Sequence, residues 1–172
     1  MKSRGQGSEQ INKMTKVKIN NVEAELSDDQ LKELLSAVPK NKLEDALKLK
    51  TPITERVKTF EDALALVQVP AEIKEFLEIQ TPNKHVKSMQ AAAMLTIIAE
   101  ALNEGWKPDW SNRSQIKYWP WLEFSPGVGF SFLDCDYGSA GSYVGSRLCF
   151  KNADLAKYVA TQFQSIYNDF FN

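Results

Sequence analysis

The sequence TPNKHVKSMQAAAMLTIIAEALNEG at residues 81–105, followed by IKYWPWLEF at residues 116–124, decides the fold class of this 172-residue chain. In the first stretch, apolar residues such as Val86, Met89 and Ala93 recur every three or four positions, which predicts one long helix ending at a glycine. In the second stretch, alternating side chains predict a strand. A long helix followed by strands predicts an α+β fold.

Two further strands and a last helix complete the predicted core. The strands are expected at residues 128–133 and 143–150, joined by a glycine-containing loop at residues 134–142. Asn152 is a good N-cap for a helix whose apolar positions can cover a sheet. We therefore expect a small antiparallel sheet packed on one face by two long helices. Pro120 donates no hydrogen bond, so it predicts an edge strand or a bulge.

The residues before this core are predicted to form an appendage, because a short alternating pattern around an Asn-Asn turn is followed by a capped amphipathic helix. Ser, Gly, Gln and Lys dominate the first residues, which favours a disordered tail. Pro52 lies in a segment without periodicity. The predicted organisation is a tail at residues 1–15, a small β-hairpin and helix unit at 16–50, a linker at 51–58, and an α+β core at 59–172.

Composition is that of a globular protein, with 43% hydrophobic and 25% charged residues. No apolar run is long enough for a membrane span, and no secretory signal pattern is present, so we expect a cytoplasmic protein without a membrane partner. The two cysteines, Cys135 and Cys149, are expected to be thiols. Residues 1–58 carry 12 Lys and Arg against 9 Asp and Glu, whereas residues 59–172 carry 9 against 13. The acidic core counts against a large duplex-binding face.

Catalytic and metal-binding motifs are weak in this sequence. His85 has no partner at ligand spacing and is expected at the surface. Asp134 and Asp136 flank Cys135, but hard cations need more oxygen ligands than this pair supplies. Neighbouring carboxylates would also raise the pKa of the thiol and so disfavour a nucleophile. We therefore predict no metal, no cofactor and no catalytic residue, and we favour a protein that is not an enzyme.

The aromatic cluster is the strongest functional signal, since residues 106–150 hold 11 of the 18 aromatic residues, including all four tryptophans. Trp106 and Trp110 are predicted to pin the long helix to the sheet. Trp119 and Trp121 are core residues if the strand is buried on both faces. If one face is open, they form a stacking platform beside Lys117.

A Gly- and Ser-rich stretch at residues 138–147 could add an anion site to this surface. Its backbone freedom and hydroxyl groups suit a phosphate or a carboxylate, with Arg147 as the anchor. The spacing is not that of a P-loop. The predicted ligand-binding residues are therefore Lys117, Trp119, Trp121, Ser142, Ser146 and Arg147; a flexible hairpin with Arg147 in a structural pair is the alternative.

Three sequence strings carry a family resemblance: ALNEGWKPDW at residues 101–110, KYWPW at 117–121 and GSRLCFK at 145–151. With the C-terminal YNDFF they resemble uncharacterised proteins encoded by phages and prophages of gut bacteria. Trp119 and Leu122 stand where that family is expected to have Tyr and Phe. The resemblance implies a phage or mobile-element context in a host cell, and it implies no activity.

These patterns favour a non-enzymatic binding or accessory protein of phage or mobile-element origin, with an unknown protein partner. Two alternatives stay open. The first is a binder of single-stranded nucleic acid or nucleotides that uses exposed tryptophans and the Gly/Ser-rich loop. The second is an enzyme whose site is assembled from residues distant in sequence.

Overall fold

The computed structural model describes residues 14–19, 22–39, 42, 51–141 and 147–172. The chain divides into two compact units, Met1–Lys50 and Thr51–Asn172. The predicted third strand lies partly outside the described residues, as do most of the predicted tail and residues 43–50 of the predicted hairpin and helix unit. Each unit is considered by itself.

The first unit contains a hairpin and a helix. Strands β1, Met14–Ile19, and β2, Val22–Ser27, pair antiparallel. Helix α1, Asp28–Ala37, follows at once and begins with a capping box in which the side chains of Ser27 and Gln30 each accept the other's backbone N–H. The tail predicted at residues 1–15 thus overlaps β1 by its last two residues, because strand pairing recruits them.

The second unit is an α+β fold. Its strands are β3, Lys117–Ser125, and β4, Gly129–Gly138. Its described helices are α2, Ile53–Arg56; α3, Phe60–Leu66; α4, Ala71–Glu78; α5, Lys84–Asn103; α6, Ala153–Gln162; and α7, Gln164–Phe171. The class agrees with the expectation from sequence. None of the helices in the described segments combines the length and apolar character that a membrane crossing requires.

The packing order of the helices differs from the predicted one. Helices α6 and α7 cover the β3–β4 hairpin, whereas α5 packs mainly against α7 and α3. The C-terminal part of α5 is buried over most of its circumference, including the consecutive Ile97, Ile98 and Ala99, while Glu100 is exposed. A helix with such a wide apolar surface is stable when other helices pack around it. The long helix is therefore central, one layer behind the hairpin.

The segment predicted as a linker, residues 51–58, belongs to this packed core. Ile53 and Val57 are buried, and the Tyr158 hydroxyl bridges the carbonyl oxygens of Thr54 and Val57 at 2.8 and 2.7 Å. Pro52 suggested an irregular connection, but it lies at the start of α2, where a missing N–H costs nothing. The linker prediction was wrong because tertiary contacts order a segment that lacks helical periodicity.

Strand β4 is longer than predicted, since it continues through the residues expected to form a loop. The β3–β4 register shifts between Trp121 and Leu122, and the extra residue on β4 is Leu133. Asp134 pairs with Trp121 on the exposed face of the hairpin. Because the Asp134 carboxylate is in contact with water there, it interrupts the hydrophobic sequence pattern but does not end the strand.

The predicted third strand is represented by one residue in the described part of the chain. Phe150 forms an antiparallel bridge with Tyr118, with N–H to O distances of 2.8 and 3.0 Å in the two directions. Tyr118 therefore directs its N–H and carbonyl away from β4. Pro120, two residues on, faces the same outer edge. Because an N–H at Pro120 would point away from β4, its absence does not interrupt the β3–β4 ladder. This agrees with the prediction of an edge position.

Candidate ligand cleft

The predicted stacking platform on β3 does not exist as a surface. Lys117 is 0% and Trp119 is 1% exposed, whereas Trp121 is 51% exposed. All three lie on the hairpin face opposite Tyr118 and Leu122, as the alternation predicts. The loop after α5 and the residues at the end of β4 cover Lys117. Trp121 is left as a single exposed indole, so two adjacent rings are not presented to a ligand.

The six predicted site residues separate in the structure. Lys117 and Trp119 are buried, Trp121 is exposed on the hairpin, and Arg147 is exposed beside a cleft. Ser142 and Ser146 lie outside the described residues. Of the four that the structure describes, Arg147 alone lines the cleft, because the chain bends at residues 147–149 and does not continue there as a straight strand.

The cleft that receives Arg147 is lined by residues from three segments and has a volume of about 440 Å³. We call it the tryptophan cleft. Thr96, Glu100 and Asn103 come from the end of α5; Trp106, Lys107, Pro108 and Trp110 come from the following loop; Arg147 and Cys149 come from the segment before α6. Its size is in the range of small-molecule sites.

The end of α5 brings these segments together. Glu104 takes the left-handed conformation at φ 49°, followed by Gly105 at φ 83°, and the chain reverses. The buried Asn103 amide then donates to the Cys149 carbonyl at 2.8 Å, and its Oδ1 accepts from the Lys151 N–H at 3.1 Å. This single side chain holds the segment that carries Arg147 against the end of the helix.

Glu104 strengthens the same junction through two cations. Its carboxylate pairs with Lys151 at 3.0 Å and with the guanidinium of Arg56. Both pairs are partly exposed, so each contributes modestly. They join α2, the end of α5 and the start of the last helical segment.

The loop that carries Trp106 and Trp110 is fixed by hydrogen bonds between side chains and backbone. Gln115 accepts from the Asp109 N–H at 2.6 Å and donates to the Lys107 carbonyl at 3.2 Å. The Asp109 carboxylate accepts from the Ser111 hydroxyl and N–H, and these bonds lower the pKa of Asp109, the hydroxyl contributing most. Short local networks of this kind hold a loop in one conformation before any ligand arrives.

The first tryptophan pair lies at the cleft, where Trp106 and Trp110 are half-buried. The centre of the Trp110 ring lies 5.3 Å from Nζ of Lys117, the first residue of β3, so this indole is next to the sheet as well as the cleft. The sequence did not indicate a cleft at these residues, because the alternating pattern of β3 pointed to an open face on the strand. The available signal was the Trp-Lys-Pro-Asp-Trp run directly after a helix-ending glycine, a place where loops carry binding residues.

The charges at the cleft rim are unequal. Lys107 and Arg147 contribute two positive charges, and Glu100 contributes one negative charge. Within the described residues, none of these three side chains forms an ion pair or a side-chain hydrogen bond. The rim can therefore receive an anion without first breaking an existing pair.

The other candidate groups do not assemble into a site. His85 is exposed, as predicted. Burial and then Asp134 raise the pKa of Cys135, in the predicted direction. Cys149 is 1% exposed, and both cysteines are thiols. Among the described residues, no group of three or more His, Cys, Asp or Glu side chains could hold a metal ion.

Comparison with known proteins gives no relative. No protein-family model, no curated protein and no solved structure matches this chain.

Proposed function

We propose that this protein is a non-enzymatic binding protein and that the tryptophan cleft holds its ligand. The observation that carries the proposal is the convergence of two half-buried indoles and the Arg147 guanidinium on one concave site. Aromatic walls with a few placed polar groups are typical of ligand pockets. Glu100 is the sole carboxylate among the described lining residues, so they do not supply the carboxylate pair that acid–base catalysis often uses.

The chemistry of the lining favours a ligand with a flat ring and a negative charge. Indole faces stack on planar rings, and one such contact with a base contributes about 1–3 kcal/mol. Arg147 can bind a phosphate or carboxylate through two parallel hydrogen bonds, with Lys107 as a second positive charge. A mononucleotide satisfies both requirements. This proposal keeps the nucleotide-binding hypothesis but moves it from β3 to the cleft.

Tryptophan fluorescence tests this function with three matched probes. Adenosine monophosphate carries ring and charge, adenosine carries the ring alone, and inorganic phosphate carries the charge alone. We expect the monophosphate to quench the emission at lower concentration than either fragment, with affinity falling as salt rises. The protein variants Trp110→Ala and Arg147→Gln should weaken binding, and Trp121→Ala serves as the control outside the cleft. Equal binding of all three probes, or none, would reject the proposal.

Single-stranded oligonucleotides extend the same titration. A single strand that enters the cleft by one terminal base would bind with an affinity independent of its length. Affinity that rises steadily with length would instead indicate a longer groove and contradict a site for one terminal base.

A second candidate function is contact with a protein partner through the outer face of the hairpin. Trp121 and Leu133 lie next to the register shift and are 51% and 55% exposed. Neighbouring exposed apolar residues are a usual feature of interaction surfaces. A photo-crosslinker in place of Trp121 should capture such a partner in cells, while the same group in place of Trp110 should not.

We also propose a phage or prophage setting in the host-cell cytoplasm. Its support is the resemblance of the three motifs quoted above. Appearance of the protein during prophage induction, measured by mass spectrometry, tests this setting independently of any ligand.

A further inference from the structure

Lys117 is a fully buried cation at the first position of β3. Its Nζ donates to the carbonyl oxygens of Asp109 at 2.5 Å, Ser139 at 3.0 Å and Asn112 at 3.2 Å. The same atom lies 5.3 Å from the centre of the Trp110 ring. An ammonium group has three donors, so these three carbonyls use all of them.

Burial of this charge is costly, and the structure compensates for it without a direct ion pair, although Lys117 contributes, after the hydrogen bonds from Ser111, to the lowered pKa of the nearby Asp109 carboxylate. No carboxylate in the described residues lies within ion-pair distance of Lys117. Three carbonyl dipoles and the face of an indole ring replace the water that the ammonium loses. A neutral aliphatic residue would avoid the cost, but it would leave three carbonyl groups without this donor.

The three accepting carbonyls show what the charge holds in place. Asp109 and Asn112 lie on either side of Trp110 in the chain, so their bonds fix the turn that presents this indole. Ser139 follows β4, so the third bond ties that turn to the end of the hairpin. Lys117 itself is not among the lining residues of the cleft.

We propose that Lys117 is the positioning residue of the tryptophan cleft: its caged ammonium group holds the Trp110 indole at the wall where a ligand ring stacks. This inference rests on the proposed function, since it assigns the residue that builds the binding site. Lys117 touches no ligand and acts through Trp110.

A double-mutant cycle with adenosine monophosphate as the probe tests the inference. Trp110→Ala should raise the Kd between about 5-fold and 150-fold, which is the fold-change equivalent of one stacked ring. Lys117→Met should raise it within the same range. The double variant should bind no more weakly than Trp110→Ala alone, because Lys117 has no other route to the ligand. Effects that multiply would overturn the proposal, as would an unchanged Kd for folded Lys117→Met.

Two ligand-free measurements keep the test decisive if Lys117→Met unfolds. In the folded wild-type protein, reductive methylation followed by mass spectrometry should modify the exposed Lys107 well before Lys117. In the milder variant Lys117→Gln, acrylamide should quench tryptophan emission more than in the wild type, and Trp110→Phe should abolish that difference. Equal methylation of the two lysines, or no change in quenching, would overturn the proposal.

The two proposals fail in different ways. A wild-type protein that binds no probe rejects the proposed function, while slow methylation and altered quenching would still show that Lys117 holds Trp110. A wild-type protein that binds the probe with an affinity insensitive to Lys117→Met keeps the function and rejects the positioning role.

Discussion

Trp119 and Trp121 provide a matched pair for measuring how much burial contributes to the stability of one strand face. They lie two residues apart on β3, and their exposed fractions are 1% and 51%. Removing a buried tryptophan side chain loses about 150–250 Å² of contact surface, which at about 25 cal/mol per Å² corresponds to about 4–6 kcal/mol. Measured core truncations of this kind cost about 3–5 kcal/mol. We expect Trp119→Ala to lower the free energy of unfolding by about that amount.

Trp121→Ala should cost much less, because half of its side chain is already in water and no closed cavity remains. The area argument gives an upper bound of about 3 kcal/mol, and exposed positions generally fall well below such bounds. We expect about 1 kcal/mol. In a domain of this size the corresponding losses in Tm are about 6–20 °C for Trp119→Ala and about 2–4 °C for Trp121→Ala.

Urea denaturation followed by far-ultraviolet circular dichroism measures both variants without relying on tryptophan emission. Equal m-values would show that the variants unfold to similar states. If Trp121→Ala lowered the free energy of unfolding as much as Trp119→Ala or more, the assignment of Trp119 as buried and Trp121 as exposed would be refuted. The conclusion that β3 presents no stacking platform would then fail as well.

Three further outcomes follow from single side chains. Tyr158→Phe removes the hydroxyl that bridges two main-chain carbonyls, so stability should fall by about 1–3 kcal/mol in the same urea assay. The pKa of Asp62 is lowered, chiefly by the hydrogen bond from the Lys58 N–H, so its stabilising contribution is present above the ordinary aspartate pKa of about 4 and is lost as pH falls. Asp62→Asn should therefore reduce the loss of stability between roughly pH 5 and pH 2, measured by thermal unfolding. A loss of stability in acid equal to that of the wild type would contradict the assignment. Burial raises the pKa of Cys135, so iodoacetamide at about pH 8 should alkylate it more slowly than a free peptide thiol, and Cys149 should react only on unfolding.

Local signals were sufficient for most of the secondary structure. Ser27 and Thr59 begin helices because each side chain accepts an N–H in the first turn, which is a property of a few adjacent residues. Gly105 marks the end of α5 through another local property, since the backbone beyond the helix needs a positive φ, which glycine adopts easily. Such effects act over one turn of chain, so they can be predicted from a short stretch of sequence.

Errors arose where distant residues decide the outcome. Residues 51–58 look irregular, but contacts with Tyr158, about one hundred positions later, make them part of the core. Asp134 looks like the end of a strand, but pairing with β3 extends that strand to Gly138. Sequence windows of a few residues contain neither partner.

The candidate site shows the same division. Arg147 was predicted as an anion anchor from its setting in a Gly- and Ser-rich stretch, and it lies at the cleft. The indoles that accompany it, Trp106 and Trp110, come from a loop that follows α5. Their meeting depends on the buried Asn103 amide, which joins segments 46 positions apart.

The sequence by itself determined the α+β class, the helix caps and the alternation of Lys117, Trp119 and Trp121 on one strand face, because propensity, capping and pleat geometry are local. Only the tertiary structure decided which part of that face is buried. Burial depends on what packs above a strand, and here a loop held by the Lys117 ammonium covers one end of the face and leaves Trp121 open. Trp119 is therefore a core residue and Trp121 an exposed one, although both lie on the same strand face.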